Sequence, residues 1–139
     1  MIYFQTDGVE MPQLDAGRIG RWLGKVAGRH GYRLGDIAYR FCSDEVILDA
    51  NRQYLSHDYF TDIITFDYTD GDKVEGDLLI SLQTVRSNAE MLGVDYESEL
   101  LRVVVHGVLH LCGLHDKSEE ERAEMEAAEN AALELYPEI

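Results

Sequence analysis

From Tyr96 to Cys112 the chain carries Leu100, Leu101, Val103, Val104, Val105, Val108, Leu109 and Leu111. On a helix these residues surround nearly the whole circumference, so such a helix is buried on most sides. The valine run alone would favour a strand, but the length of the segment and the spacing of two histidines decide for helix. Everything else in the chain must therefore pack around this element. Its C-terminal half reads His106-Gly-Val-Leu-His110-Leu-Cys-Gly113-Leu-His115-Asp116. Histidines four apart on a helix lie one turn above another on the same face, and both imidazoles reach one metal ion. Gly113 stands where a chain leaves a helix in a left-handed conformation, after which it can double back. The loop then offers a third ligand, from His115 or from Asp116. Two helical ligands and one loop ligand leave a coordination position for water, the arrangement of an open catalytic zinc site.

The alternative is a pair of hydrogen-bonded core histidines. Three of the five histidines fall between His106 and His115, with a glycine break and an adjacent carboxylate. That clustering favours the metal. Gly107 occupies the position of the general-base glutamate in the HExxH metalloproteases, which removes that mechanism of peptide hydrolysis. Cys112 sits about 200° around the helix axis from His110 and is discounted as a ligand.

The 139 residues, 45% hydrophobic, suit one domain over 1–139. No apolar run approaches the ~20 residues of a membrane span, and the opening residues lack the pattern of a signal peptide. Two cysteines, Cys42 and Cys112, are too few for a disulfide framework and read as small core residues of a cytoplasmic protein. The net charge of −15 argues against a broadly nucleic-acid-binding surface. Charge is unevenly placed, however. Six of the twelve Lys and Arg lie between Arg18 and Arg40, while acids crowd Glu119 to Glu138.

Ile2 to Gln5 reads as a strand. A helix with Leu14, Ile19, Trp22, Leu23 and Val26 inside follows, carrying a second stripe of Arg18, Arg21, Lys25 and Arg29. That stripe is either a solvated face or a track for RNA phosphates. Gly31 and Gly35 bracket a turn before a strand from Asp36 to Cys42, and Ser43 caps a helix to about Leu55. After the loop 56–61, Asp62–Tyr68 and Gly76–Ser81 form an antiparallel hairpin. Ser81 caps a helix to Leu92, the histidine helix follows, and Ser118 with Glu121 opens the last helix through a capping box. Met125, Ala128, Ala132 and Leu135 give that helix its inner face, and its glutamates read as a solvated outer face. The elements thus run β-α-β-α-β-β-α-α-α. They imply an α+β fold with a single mixed sheet of about four strands, flanked by helices, around a central buried metal-bearing helix.

The segment His106-Gly-Val-Leu-His110-Leu-Cys-Gly113 resembles the signature of the YbeY family of bacterial metal-dependent endoribonucleases. Thr61-Asp62-Ile-Ile-Thr65-Phe66 and Gly76-Asp77-Leu-Leu-Ile-Ser81 resemble its two other characteristic segments, in order and spacing. The resemblance spans essentially the whole chain. It implies a cytoplasmic, single-strand-specific endoribonuclease that uses one Zn(2+) ion per chain. The implied task is ribosomal RNA maturation, notably at the 3′ end of the small-subunit RNA, and ribosome quality control. The implied partners are single-stranded rRNA and the ribosome or its basic proteins, and no membrane. Two of the family's three histidine ligands map onto His106 and His110. The third comes six residues after the second, where this chain has Asp116; His115 lies one residue early, and the loop length makes Asp116 the expected third ligand.

A further departure is Leu55, which stands where the family has an arginine suited to clamp a phosphate. Arg52, three residues earlier, and His57 are the candidates to take its place. His115 is the candidate acid or base beside the metal. Asp62 and Asp77 are candidates to orient the ligands. The rival readings are a non-catalytic ribosome-assembly or RNA-binding factor with a structural metal, and a metal-dependent hydrolase of another substrate.

Overall fold

The chain runs β1 (Ile2–Asp7), α1 (Ala16–Arg29), β2 (Arg33–Cys42), α2 (Asp44–Tyr54), β3 (Ile63–Asp67), β4 (Lys73–Ser81), α3 (Leu82–Leu92), α4 (Tyr96–Leu111) and α5 (Glu119–Leu135). A short 3-10 turn, Tyr136–Glu138, follows. This order is the one expected from the sequence. The computed structural model describes residues 1–54 and 62–139, with Tyr54 by its backbone alone. Leu55, His57 and Thr61 lie outside the described residues. Among the described residues, no helix is long and apolar enough to cross a membrane.

Alternation along β2 and β4 sorts the sheet into two faces. Ile37, Tyr39, Phe41, Leu78 and Ile80 are fully buried. The strand order is β1-β2-β4-β3. β1 and β4 flank β2 in parallel, with Ile2 opposite Ile37 and Tyr39 opposite Leu78, and β3 pairs antiparallel with β4. The expected hairpin is therefore present. Gly31, at φ +81°, makes the turn after α1. Gly35 does not bracket that turn but sits inside β2, beside the register shift between Leu34 and Ile37. A Cβ there would stand 2.7 Å from the Val74 carbonyl oxygen, so only glycine allows this approach.

α4 lies across the inner face of the sheet. The buried Tyr39 hydroxyl donates to the Val104 carbonyl at 2.7 Å, which ties the helix to the central strand. α1 contributes Ile19, Trp22, Leu23, Val26 and Ala27 to the same core. The Trp22 indole N–H donates to the Ala132 carbonyl of α5 at 2.7 Å, and the ring meets Tyr136 edge-on. These tips matter because a buried N–H or O–H without an acceptor costs about 1–3 kcal/mol. On the outer face, α2 covers a smaller cluster of Cys42, Ile47, Ala50 and Ile64. Both cysteines are free and buried.

Candidate metal and catalytic site

Arg102, His106 and His110 follow one another at i, i+4 and i+8 on α4 and so share a face of the helix. Gly107, on the neighbouring face, brings α4 down onto the sheet. A Cβ there would come to 2.9 Å from Leu78 and 3.0 Å from Ile63. The histidines therefore stand at the β3 side of the sheet.

Beyond Leu111 the helix closes in a left-handed cap. Gly113 has φ +93°, its N–H donates to the His110 carbonyl, and the Leu114 N–H reaches back to the Leu109 carbonyl. This paired 6→1 and 5→2 pattern is the Schellman motif, with glycine where the backbone demands it. At its other end the loop meets the capping box of α5, formed by Ser118 and Glu121. Held at both ends, it returns Asp116 to His106, with Oδ2 3.4 Å from Nε2. The His115 ring stands nearly perpendicular to that of His110, at 6.2 Å between centroids. The two loop residues thus face different histidines. Among the described residues, no three His, Cys, Asp or Glu side chains converge on one point as they stand.

The other ring nitrogen of His106, Nδ1, is 2.7 Å from Glu129 Oε2. Arg102 donates to Glu129 Oε1 at 3.0 Å and to Asn130 Oδ1 at 2.7 Å. Burial works against protonation of His106, but the hydrogen bond to Glu129 and the charges of Glu129, Asp62 and Asp116 outweigh it, and its pKa is raised. Burial also raises Asp62, with His106 pulling in the opposite direction. A neutral His106 whose Nδ1 carries the proton presents a lone pair at Nε2. Asp116 then faces it with a second acceptor, and two acceptors this close need a proton or a cation between them. Ligands of a tetrahedral zinc, each ~2.0–2.1 Å from the ion, stand roughly 3.3 Å apart. The His106–Asp116 separation fits that geometry.

A groove of about 540 Å³ opens beside the pair, bordered by Leu92, Val94, Arg102, Arg122 and Met125. A larger hollow of about 1040 Å³, between residues 10–13 and the facing parts of α3 and α4, shares none of its lining residues. No histidine lines that hollow, so volume does not locate the chemistry here.

The remaining candidates are dispersed. Arg52 is exposed on α2, 4.0 Å from Asp49, and does not line the groove beside His106. Asp77 is exposed on the opposite face of the sheet, near Arg40 and Phe66, because its neighbour Leu78 points inward. It does not orient the histidines. Arg21, Lys25 and Arg29 are exposed, whereas Arg18 is half-buried. Its guanidinium stacks 4.1 Å from the Tyr136 ring centre and donates to the Tyr136 carbonyl. The first helix lies toward β1, with Gly20 against Ile2, at the far edge of the sheet from the histidines.

Glu129 and Arg102 were missed in reading the sequence. The signal was available: Glu129 lies four residues after Met125 and three before Ala132, on the inner stripe of α5. A carboxylate in an apolar stripe needs a buried partner.

The family model described as "Endoribonuclease YbeY" matches residues 17–136. A protein of that name from Phocaeicola vulgatus is 58% identical over 135 residues, which is 97% of this chain and 98% of its own. Another, from Bacteroides thetaiotaomicron, is 57% identical over 134 residues, 96% of this chain and 98% of its own. A third, from Porphyromonas gingivalis, is 53% identical over 137 residues, 99% and 91% of the two chains. The solution structure of TM1509 from Thermotoga maritima superposes with a TM-score of 0.67 at 24% identity, covering 98% of this chain and 89% of that one, and so shares the fold.

Proposed function

Because the chain belongs to the endoribonuclease YbeY family, we propose that it is a metal-dependent hydrolase that cuts single-stranded RNA. The RNA in this reading is ribosomal, with the 3′ end of the small-subunit RNA as the site of maturation and a further part in ribosome quality control. The cell compartment is the cytoplasm. The observation that carries the reading is the approach of His106 Nε2 and Asp116 Oδ2, 3.4 Å apart at the mouth of a groove.

His106, His110 and Asp116 are the ligands of one zinc ion. A set of two imidazoles and one carboxylate is sound for zinc and also admits other divalent metals. A bound ion supplies positive charge that eases ionisation of the attacking hydroxyl and steadies the phosphate oxygens. The chain's own residues do the rest. His115, on the loop, exchanges the proton of the attacking or departing oxygen. Arg102 keeps Glu129 in place, and Leu92 and Val94 offer an apolar wall on which a base can lie. Arg52 is the residue to neutralise a phosphate where the family's arginine is replaced by Leu55, and Arg21, Lys25 and Arg29 are outlying contacts for a longer strand. With a net charge of −15, basic ribosomal proteins are the fitting protein partners.

A second reading, an RNA-binding assembly factor without catalysis, is favoured by Leu55 and by the lack of a three-residue ligand cluster among the described residues. One experiment separates them: zinc content and cleavage of single-stranded RNA and of a simple phosphodiester, for wild type, Asp116→Ala and His115→Ala. The proposal expects Asp116→Ala to lose both metal and RNA cleavage, and His115→Ala to keep metal while cleaving more slowly. A wild type that holds zinc and cuts nothing overturns it in favour of the assembly factor. Cleavage of the simple ester alone points instead to another substrate.

A further inference from the structure

Glu129 is one of the few charged residues in the buried interior, 8% exposed, and it lies on the inner stripe of α5 rather than among the surface glutamates. A carboxylate withdrawn from water persists only if its oxygens are occupied. Both are: Oε1 accepts from Arg102 and Oε2 stands against His106 Nδ1.

We infer that Glu129, clamped by Arg102, is the positioning residue that fixes the tautomer and orientation of His106. A carboxylate can only accept, so the proton it meets must be on Nδ1. The lone pair of the neutral ring is then on Nε2, aimed at Asp116 Oδ2. The inference deepens the proposed metal site and rests on it only for what that lone pair binds. Arg102 gives it directionality. It is a pure donor and demands acceptors from both Glu129 and Asn130. Its place one turn before His106 on α4 means that clamp and ligand move with the same helix. The last helix therefore does more than cover the core. It sets which nitrogen of His106 is available.

Glutamine at 129 has the same size but one donor end. Because Arg102 claims the amide oxygen, the NH2 of Glu129→Gln turns to Nδ1 and forces the proton onto Nε2. Removing the clamp as well, in Arg102→Ala/Glu129→Gln, frees the amide to turn over and offer its oxygen to Nδ1. Two readouts test this: the 15N NMR tautomer of His106 in metal-free protein at a pH that keeps the ring neutral, and zinc affinity by competition with a chelator. Thermal unfolding serves as the fold control.

Wild type is expected in the Nδ1–H form and Glu129→Gln in the Nε2–H form, with zinc binding weakened about 10- to 100-fold. The double variant is expected to regain part of both. Glu129→Ala is expected to give mixed tautomers. An unchanged tautomer in Glu129→Gln, or a double variant weaker than the single one, overturns the inference. Tautomers that move as stated in a protein that binds no zinc uphold the positioning role and bring down the metal site instead.

Discussion

Glu99 is buried on α4, 6% exposed, one turn below Arg102. Burial raises its pKa, with Arg102 pulling it down and Asp62 and Glu129 pushing it up. A carboxyl whose folded pKa exceeds its unfolded value binds more protons in the native state. Its contribution to stability is therefore lost as pH rises above the ordinary glutamate value of about 4.3. Glu99→Gln removes that dependence. The variant should be more stable than wild type at pH 8 and gain less on acidification to pH 5.5, as read from urea midpoints of metal-free protein. An equal pH slope in the two proteins refutes the assignment. Asp62, raised chiefly by burial, works in the same direction.

At the scale of elements, two short devices hold the site's surroundings. Gly76 in β4 lies where a Cβ would come 2.6 Å from the Phe66 carbonyl oxygen and 3.3 Å from Leu111 at the end of α4. The obstacle is backbone, which cannot swing aside. Gly76→Ala should cost roughly 1–3 kcal/mol, measured by denaturant unfolding. Ser81 accepts from the Thr84 N–H to cap α3, and its hydroxyl donates to Asp44 at the start of α2. Ser81→Ala should destabilise by about 1 kcal/mol from the cap alone. Elements with local signals were legible in the sequence: the Ser81 and Ser118 caps, the left-handed Gly113, and the apolar girth of α4. Where legibility failed, the reason was long-range. Gly35 looks like a turn residue until the neighbouring strand is known to press on it, and Asp77 looks like a partner for the histidines until the pleat turns it away. The stripe of α5 marks Glu129 as needing a buried partner, but that the partners are Arg102 and His106, 27 and 23 residues earlier, is set by the fold.

For the whole molecule, the proposed ion would join α4, the loop after it and, through His106, α5. Zinc that binds only the folded chain should then add about 2.7 kcal/mol of stability at a hundredfold excess over its dissociation constant. A melting temperature indifferent to zinc and to chelator contradicts that linkage. The sheet makes a related demand. Its middle strands pair in parallel across a helix or more of intervening chain, which places much of the folding cost in distant closures. One buried closure joins Trp22 to Ala132, 110 residues apart. Chains are made from the N-terminus at about 5–20 residues per second. During synthesis the indole of the first helix thus waits for an acceptor that the ribosome supplies among the later residues, in the same stretch that brings Glu129 to His106. Core closure and the finished histidine site arrive together, after translation has passed α5, and a nascent chain lacking that helix has neither.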